Sequence, residues 1–147
     1  MSEEPKLNLP PIKMRIKREG DNRYVWDALR GKYPLLTPEE RVRRYVLAFL
    51  SSYCNIPATS LVQEYPVPLN GMAQRADIVA MGRDGKPLLL VECKAPCVEI
   101  DREVFGQATR YNTVVGARFI ILTNGLRHYC YERTADDYKP LNTFPRF

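Results

Sequence analysis

The sequence predicts a mixed α/β fold, a central sheet with a helix on each face, entered through a β-hairpin. Three observations predict it. Between Leu61 and Lys94, three strand-like segments are separated by Asn70 and Gly71, then by Asp84 and Gly85, dipeptides that favour tight hairpin turns. A helical segment and a second strongly apolar run, "ARFIILTNG", follow in the strand–helix–strand order of a crossover. An amphipathic helix with clear capping signals precedes them all. The 147 residues suit one domain with its own core.

The elements follow in order. Residues 1–11, with acidic residues and prolines, are expected to be a flexible lead-in. "IKMRIKREGDNRYVWD" alternates apolar and basic residues on either side of a break at 19–22, which is a hairpin pattern. With its connector the hairpin unit spans 12–35, and the core spans 36–134. The first helix opens at "TPEE": Thr37 is the N-cap, Pro38 occupies the first helical position and Glu40 completes a capping box. Val42, Val46, Phe49, Leu50 and Tyr53 share its apolar face, and it should end before Pro57. "SLVQEYPVPL" is a strand whose two prolines suit a sheet edge. "AQRADIVAMG" pairs with it, and "PLLLVECKA" is apolar enough for a central place. A second helix runs from about Asp101 to Val114. "ARFIILTNG" and "RHYCYER" complete the sheet, and 135–147 reads as an irregular tail.

Composition narrows the function. No apolar run is long enough to span a membrane. The first residues lack the apolar core of a secretory signal. Four cysteines form no CxxC pair and His128 is the sole histidine, so reduced thiols in a cytoplasmic protein are expected and a zinc site is not. A net charge of +5 permits a polyanionic partner without demanding one.

The chemistry gathers at the end of the apolar strand. Alternation places Arg75, Asp77, Val79 and Met81 on one face of their strand, and Leu88, Leu90, Glu92 and Lys94 on one face of the next. Counting back from the turn at Asp84 and Gly85 puts Asp77 opposite or close to Glu92. A lone E-x-K triplet is a weak signal, because charged strand ends are commonly solvated. Asp77 across a short hairpin strengthens it, and so does the place of Glu92 directly after "LLLV", since charges there stand where burial begins to cost. Asp77, Glu92 and a backbone carbonyl near Cys93 suit Mg²⁺, a hard ion that takes oxygen ligands, with Mn²⁺ as a substitute. Lys94 is placed to orient or deprotonate a water, or to stabilise a phosphoryl transition state. The set suits phosphodiester hydrolysis.

Two helices extend the constellation. Glu39 falls at the edge of the first helix's apolar face and Glu40 roughly opposite, so Glu39 is the expected site acid, unless it only complements the helix dipole. In "FGQATRYN", Gln107 and Tyr111 are four apart and stack on one face, as a support for the site or as ordinary core and surface residues. Arg75, Arg110, Lys13, Arg15 and Lys17 are candidate phosphate contacts for nucleic acid.

The segments "TPEERVR", "RADIVAMGRDGKPLLLVECKAP", "FGQATRYN" and "FIILTNG" together resemble the N-terminal nuclease domain of the type I restriction enzyme R protein, of the PD-(D/E)xK superfamily, over roughly Trp26 to Gly125. The resemblance implies a restriction-endonuclease-like mixed central sheet. It gives Asp77 the aspartate of the motif, Glu92 and Lys94 its E-x-K, Gln107 and Tyr111 its Q-xxx-Y, and Glu39 or Glu40 its helical glutamate. It also implies Mg²⁺, DNA as substrate and other subunits of a restriction or DNA-processing system as partners. These residues contain no P-loop, so the expected activity is that of a stand-alone metal-dependent endodeoxyribonuclease. The alternative from another class is a module that keeps the fold and binds DNA or protein without cutting. RNA as the substrate would use the same chemistry.

Overall fold

The computed structural model describes residues 4–147; Met1 to Glu3 of the expected lead-in lie outside the described residues. A two-stranded hairpin, β1 (Ile16–Glu19) and β2 (Asn22–Val25), precedes helix α1 (Pro38–Ser52). After a 3-10 turn at Ala58–Ser60 come β3 (Leu61–Leu69), β4 (Met72–Met81) and β5 (Pro87–Cys93), then helix α2 (Arg102–Val115). β6 (Phe119–Thr123), β7 (His128–Arg133) and β8 (Tyr138–Leu141) end the chain. The main sheet runs β3-β4-β5-β6-β7-β8, with β5 and β6 parallel and every other neighbouring pair antiparallel. The proline-bearing strand is at the edge and the apolar "LLLV" strand is interior, as composition required.

Each turn follows from its residues. Asn70 and Gly71 both adopt positive φ, 52° and 75°, the twist that joins β3 to β4 without splaying them. Asp84 Oδ1 accepts from the Lys86 amide at 3.0 Å, closing the second turn. α2 is capped by Asp101, whose carboxylate accepts from the amides of Glu103 and Val104, and it stops at Gly116 in the left-handed region.

The core has two halves. Val42, Val46, Leu47 and Leu50 of α1 pack on Ile78, Ala80, Leu89, Val91 and Ile121. Val104, Ala108, Tyr111 and Val115 of α2 pack on Val79, Leu90, Ile120 and Leu122 on the other face. All four cysteines are free; burial pushes the Cys54 thiol up to about 11 and the Cys130 thiol to about 12. Among the described residues, no helix is long and apolar enough to cross a membrane.

Three expectations change. The lead-in is docked: Leu7 is buried, the Asn8 amide donates to the Gly125 carbonyl at 2.8 Å, and Arg41 Nη1 donates to the Pro5 carbonyl at 2.9 Å. One leucine among prolines supplies the apolar anchor that composition masked. The tail is not irregular throughout. Tyr138–Leu141 form a sixth strand on β7, and Phe144 and Phe147 pack against Phe49 and Phe119. The capping box is half made: Thr37 Oγ1 accepts from the Glu40 amide at 3.0 Å, but the Glu40 carboxylate turns to Arg44 instead of returning to Thr37.

Candidate active site

The register Ile78↔Val91 and Val79↔Leu90, carried one step further, places Asp77 across from Glu92. Regular pairing of β4 with β5 ends there. Asp77 Oδ2 accepts the next amide, that of Cys93, at 2.7 Å, so a side chain continues what the backbone ladder stops doing. Glu92 is buried, and its Oε1 has no hydrogen-bond partner. Burial first, and then the neighbouring Asp77, pushes its carboxyl up to about 9. Lys94 lies two residues on, and its charge works in the opposite sense.

Glu39 comes to the same place from the first turn of α1. Burial and the Asp77 charge raise its pKa, while Lys94 and Arg43 oppose the rise. From α2, Gln107 completes a cleft of about 440 Å³ that also holds Glu39, Lys94 and Asp101. The Gln107 amide donates to Tyr111 Oη at 3.0 Å, and Tyr111 in turn donates to Gln74 Oε1 on β4 at 3.3 Å. Asp77, Glu92, Lys94, Glu39 and Gln107 therefore meet at one end of the sheet, with Tyr111 behind Gln107. The two strands and both helices each contribute.

Glu40 does not join them. It is buried against Arg44 Nε at 2.8 Å, with Arg43 Nε at 3.7 Å and Arg30 Nη2 at 3.9 Å. Asp27, also buried, ion-pairs with Arg30 and Arg44, which together hold its carboxyl below the usual range against the effect of burial. Gln63 and Glu64 of β3 complete this network, which ties the connector before α1 to the sheet edge.

The phosphate candidates are dispersed. Lys13, Arg15 and Lys17 are exposed in or beside the separate hairpin, where Arg15 lies over Trp26 and Lys17 over Tyr33. Arg110 is exposed on α2, next to Gln107. Arg75 is also exposed, with Nη1 3.9 Å from Glu64. The predicted common face of Arg75, Asp77, Val79 and Met81 does not hold along the whole strand: Ala76 and Val79 both pack on the α2 side, so alternation slips at Asp77. Arg43 was not anticipated. Its guanidinium is buried, and Nε and Nη1 make no hydrogen bond although carboxylates of Glu40 and Glu64 lie within 4.0 Å; burial works against its charge, but Glu40 and Asp77 hold its pKa above the ordinary value. The signal was present, because Arg43 lies one helical turn after Glu39.

No three His, Cys, Asp or Glu side chains among the described residues form a metal-ligating group. The side-chain donors here are two, Asp77 and Glu92. Their oxygens are hard donors, one is buried without a hydrogen-bond partner, and burial together with the neighbouring Asp77 pushes the Glu92 carboxyl up. Such a donor set fits a divalent cation, which would offset both the burial of Glu92 and its repulsion by Asp77.

Residues 38–145 match the family model for the type I restriction enzyme R protein N terminus. The fold is similar to a fragment structure described as an HsdR subunit of a type I restriction enzyme from Vibrio vulnificus YJ016, with a TM-score of 0.56 and 24% identity over 76% of this chain. This chain spans 24% of that structure. No match is found among curated proteins. With most of its length inside the family model, the chain belongs to the type I restriction enzyme R protein N-terminal family.

Proposed function

We propose that this domain is a metal-dependent nuclease module of the PD-(D/E)xK kind that hydrolyses phosphodiester bonds of DNA within a restriction or DNA-processing system. One observation carries the reading: the Asp77–Glu92 pair, with an unpartnered buried oxygen on Glu92, next to Lys94 and Glu39, which line an open cleft. A purely structural carboxylate pair would cost stability and gain nothing for it.

Asp77 and Glu92 would hold Mg²⁺ or Mn²⁺, with the Cys93 carbonyl as a further oxygen donor. The ion supplies Lewis acidity toward a phosphoryl oxygen and a bound water of lowered pKa. Lys94 orients the attacking water or stabilises charge on the phosphate through Nζ. Glu39, its pKa raised by burial and by Asp77, is placed to accept or hold a proton next to Lys94. Gln107, with its amide fixed by Tyr111, keeps its carbonyl oxygen for Lys94 or for a water. Exposed Arg110 and Arg75 then contact phosphates on either side, independently of sequence.

The test is nicking of supercoiled plasmid by wild type and Lys94→Ala at matched concentrations, with Mg²⁺ and then Mn²⁺ and an RNA substrate in parallel. Wild type should cut, and Lys94→Ala should be slower by about two to four orders of magnitude, typical of losing such a group. Equal cutting by both proteins rejects the site. DNA binding without cutting by wild type favours a module that keeps the fold as a binding platform.

A further inference from the structure

Glu64 has a left-handed backbone, φ 51°, in the middle of β3. A residue with a long side chain rarely adopts this conformation, and inside a strand it demands a cause. Its register position faces Asp77. The pairs Gln63↔Ile78 and Tyr65↔Ala76 bracket the two residues, and the register is the same on both sides.

Side-chain direction changes at this point. On β3, Leu61 packs with the α1 half of the core, whereas Tyr65, Val67 and Leu69 pack with the α2 half. On β4, Ile78 and Ala80 pack with the α1 half and Val79 with the α2 half, yet Ala76 also packs with the α2 half. Regular alternation would put Leu61 with Val67 and Ala76 with Ile78. Both strands therefore turn over at the Glu64–Asp77 pair without losing register. A left-handed residue supplies a local rotation that an extended one does not.

Asp77 lies at the turnover. Its carboxylate reaches the amide of Cys93, where the β4–β5 ladder has ended. Glu64 is held in place from several sides: Arg30 Nη1 is 2.9 Å from its carboxylate, Arg75 Nη1 3.9 Å and Arg43 Nη1 4.0 Å. Contacts of this kind sustain a strained backbone.

We propose that Glu64 is a positioning residue for Asp77: its left-handed backbone turns the β3–β4 pair over and sets the Asp77 carboxylate between Glu92 and the Cys93 amide. Its importance for catalysis rests on the nuclease reading above, but the positioning can be tested without metal.

Amide hydrogen exchange at Cys93 in metal-free protein reads the Asp77 bond directly, with the Val91 and Ile121 amides as controls for folding. Glu64→Gly and Glu64→Asn accept the left-handed region, whereas Glu64→Val resists it. Exchange at Cys93 should stay within about threefold of wild type in the Gly and Asn variants and rise at least about tenfold in Val, with the controls unchanged. Unchanged exchange in Val overturns the proposal. So does equal acceleration in the Gly and Asn variants, which would assign the effect to the lost carboxylate. If Glu64→Val does not fold, Glu64→Ala takes its place under the same criteria. Mn²⁺ titration of wild type and Asp77→Asn is run alongside. A wild type that binds no Mn²⁺ removes the nuclease reading, and the exchange data still decide the positioning.

Discussion

Glu39 and Glu40 are adjacent in sequence and serve different surroundings. Glu39 faces Asp77 and Lys94, whereas Glu40 is buried among Arg30, Arg43 and Arg44. Their substitutions should separate accordingly. Glu39→Gln should fold like wild type and cut DNA more slowly, by about 10²-fold if Glu39 handles a proton. Glu40→Gln should destabilise, because removing one partner of a buried pair leaves charge uncompensated, at a cost of about 3–5 kcal/mol. Urea unfolding and nicking assays on both variants check this. A Glu40→Gln protein that is stable but inactive would reverse the assignment.

Asp77 has two tasks that substitution can divide. Asn retains an acceptor for the Cys93 amide, and Ala does not. Asp77→Asn should therefore keep near-native stability while losing metal-dependent cutting. Asp77→Ala should lose cutting and about 1–3 kcal/mol as well, the cost of an unsatisfied buried amide. Equal melting curves for the two would mean that water replaces the carboxylate at Cys93.

The raised pKa of Glu92 fixes a sign for pH. Its folded value of about 9 lies above the ordinary glutamate value of 4.5, so the folded, metal-free protein binds more protons between those limits. Stability is then greatest below about 4.5 as far as this group is concerned, and is lost as pH rises toward 9. The slope is at most about 1.4 kcal/mol per pH unit. Glu39, also raised, adds in the same direction. Glu92→Gln should flatten the profile measured in EDTA, and added Mg²⁺ should flatten it for wild type by replacing the proton. A wild-type profile already flat from pH 5 to 9, a range set by that shift, would count against the carboxylate pair.

Most of the core was legible because period and punctuation agreed. Asn70 and Gly71, Asp84 and Gly85, and Thr37 with Pro38 mark boundaries that the fold observes. Asp77 opposite Glu92 followed from hairpin counting alone. The network around Asp27, Arg30, Glu40, Arg44 and Gln63 did not, because its members come from three segments and each reads singly as a polar surface residue. Four charged positions within five residues of α1, Glu40, Arg41, Arg43 and Arg44, are buried there by polar partners that no periodicity encodes. The turnover at Glu64 was equally hidden: nothing in "LVQEYPV" announces a left-handed glutamate.

Gly125 should tolerate no side chain. Its φ is 87°, and a Cβ built there lies 2.8 Å from Leu7 Cδ2 and 3.1 Å from Val42 Cγ2. Gly125→Ala should displace the docked N-terminal segment, adding conformational strain to lost packing, for a loss of about 1–3 kcal/mol. Leu7→Ala alone should cost about 2–5 kcal/mol as a buried leucine truncation. Faster exchange of the Asn8 amide in both variants would confirm the displacement. Unchanged exchange would show that the strap is held elsewhere.

If the domain contacts DNA mainly through phosphates, binding should weaken steeply with salt, and each lost contact should lower the log–log slope by about one. The exposed arginines beside the cleft are better placed for this than the hairpin lysine. Arg110 lies on the exposed side of α2, in a recess it shares with Arg102 and Gln107. Lys17 is already engaged, with Nζ 3.3 Å from Glu19 and 4.6 Å from the Tyr33 ring centroid. Arg110→Ala should therefore reduce the slope by about one and weaken binding equally for unrelated sequences, whereas Lys17→Ala should do less. The measurement is the dissociation constant for two unrelated duplexes at four salt concentrations, with wild type and both variants. A larger effect from Lys17 would move the DNA path from α2 to the hairpin, and loss confined to one duplex would make Arg110 a reader of bases instead of phosphates.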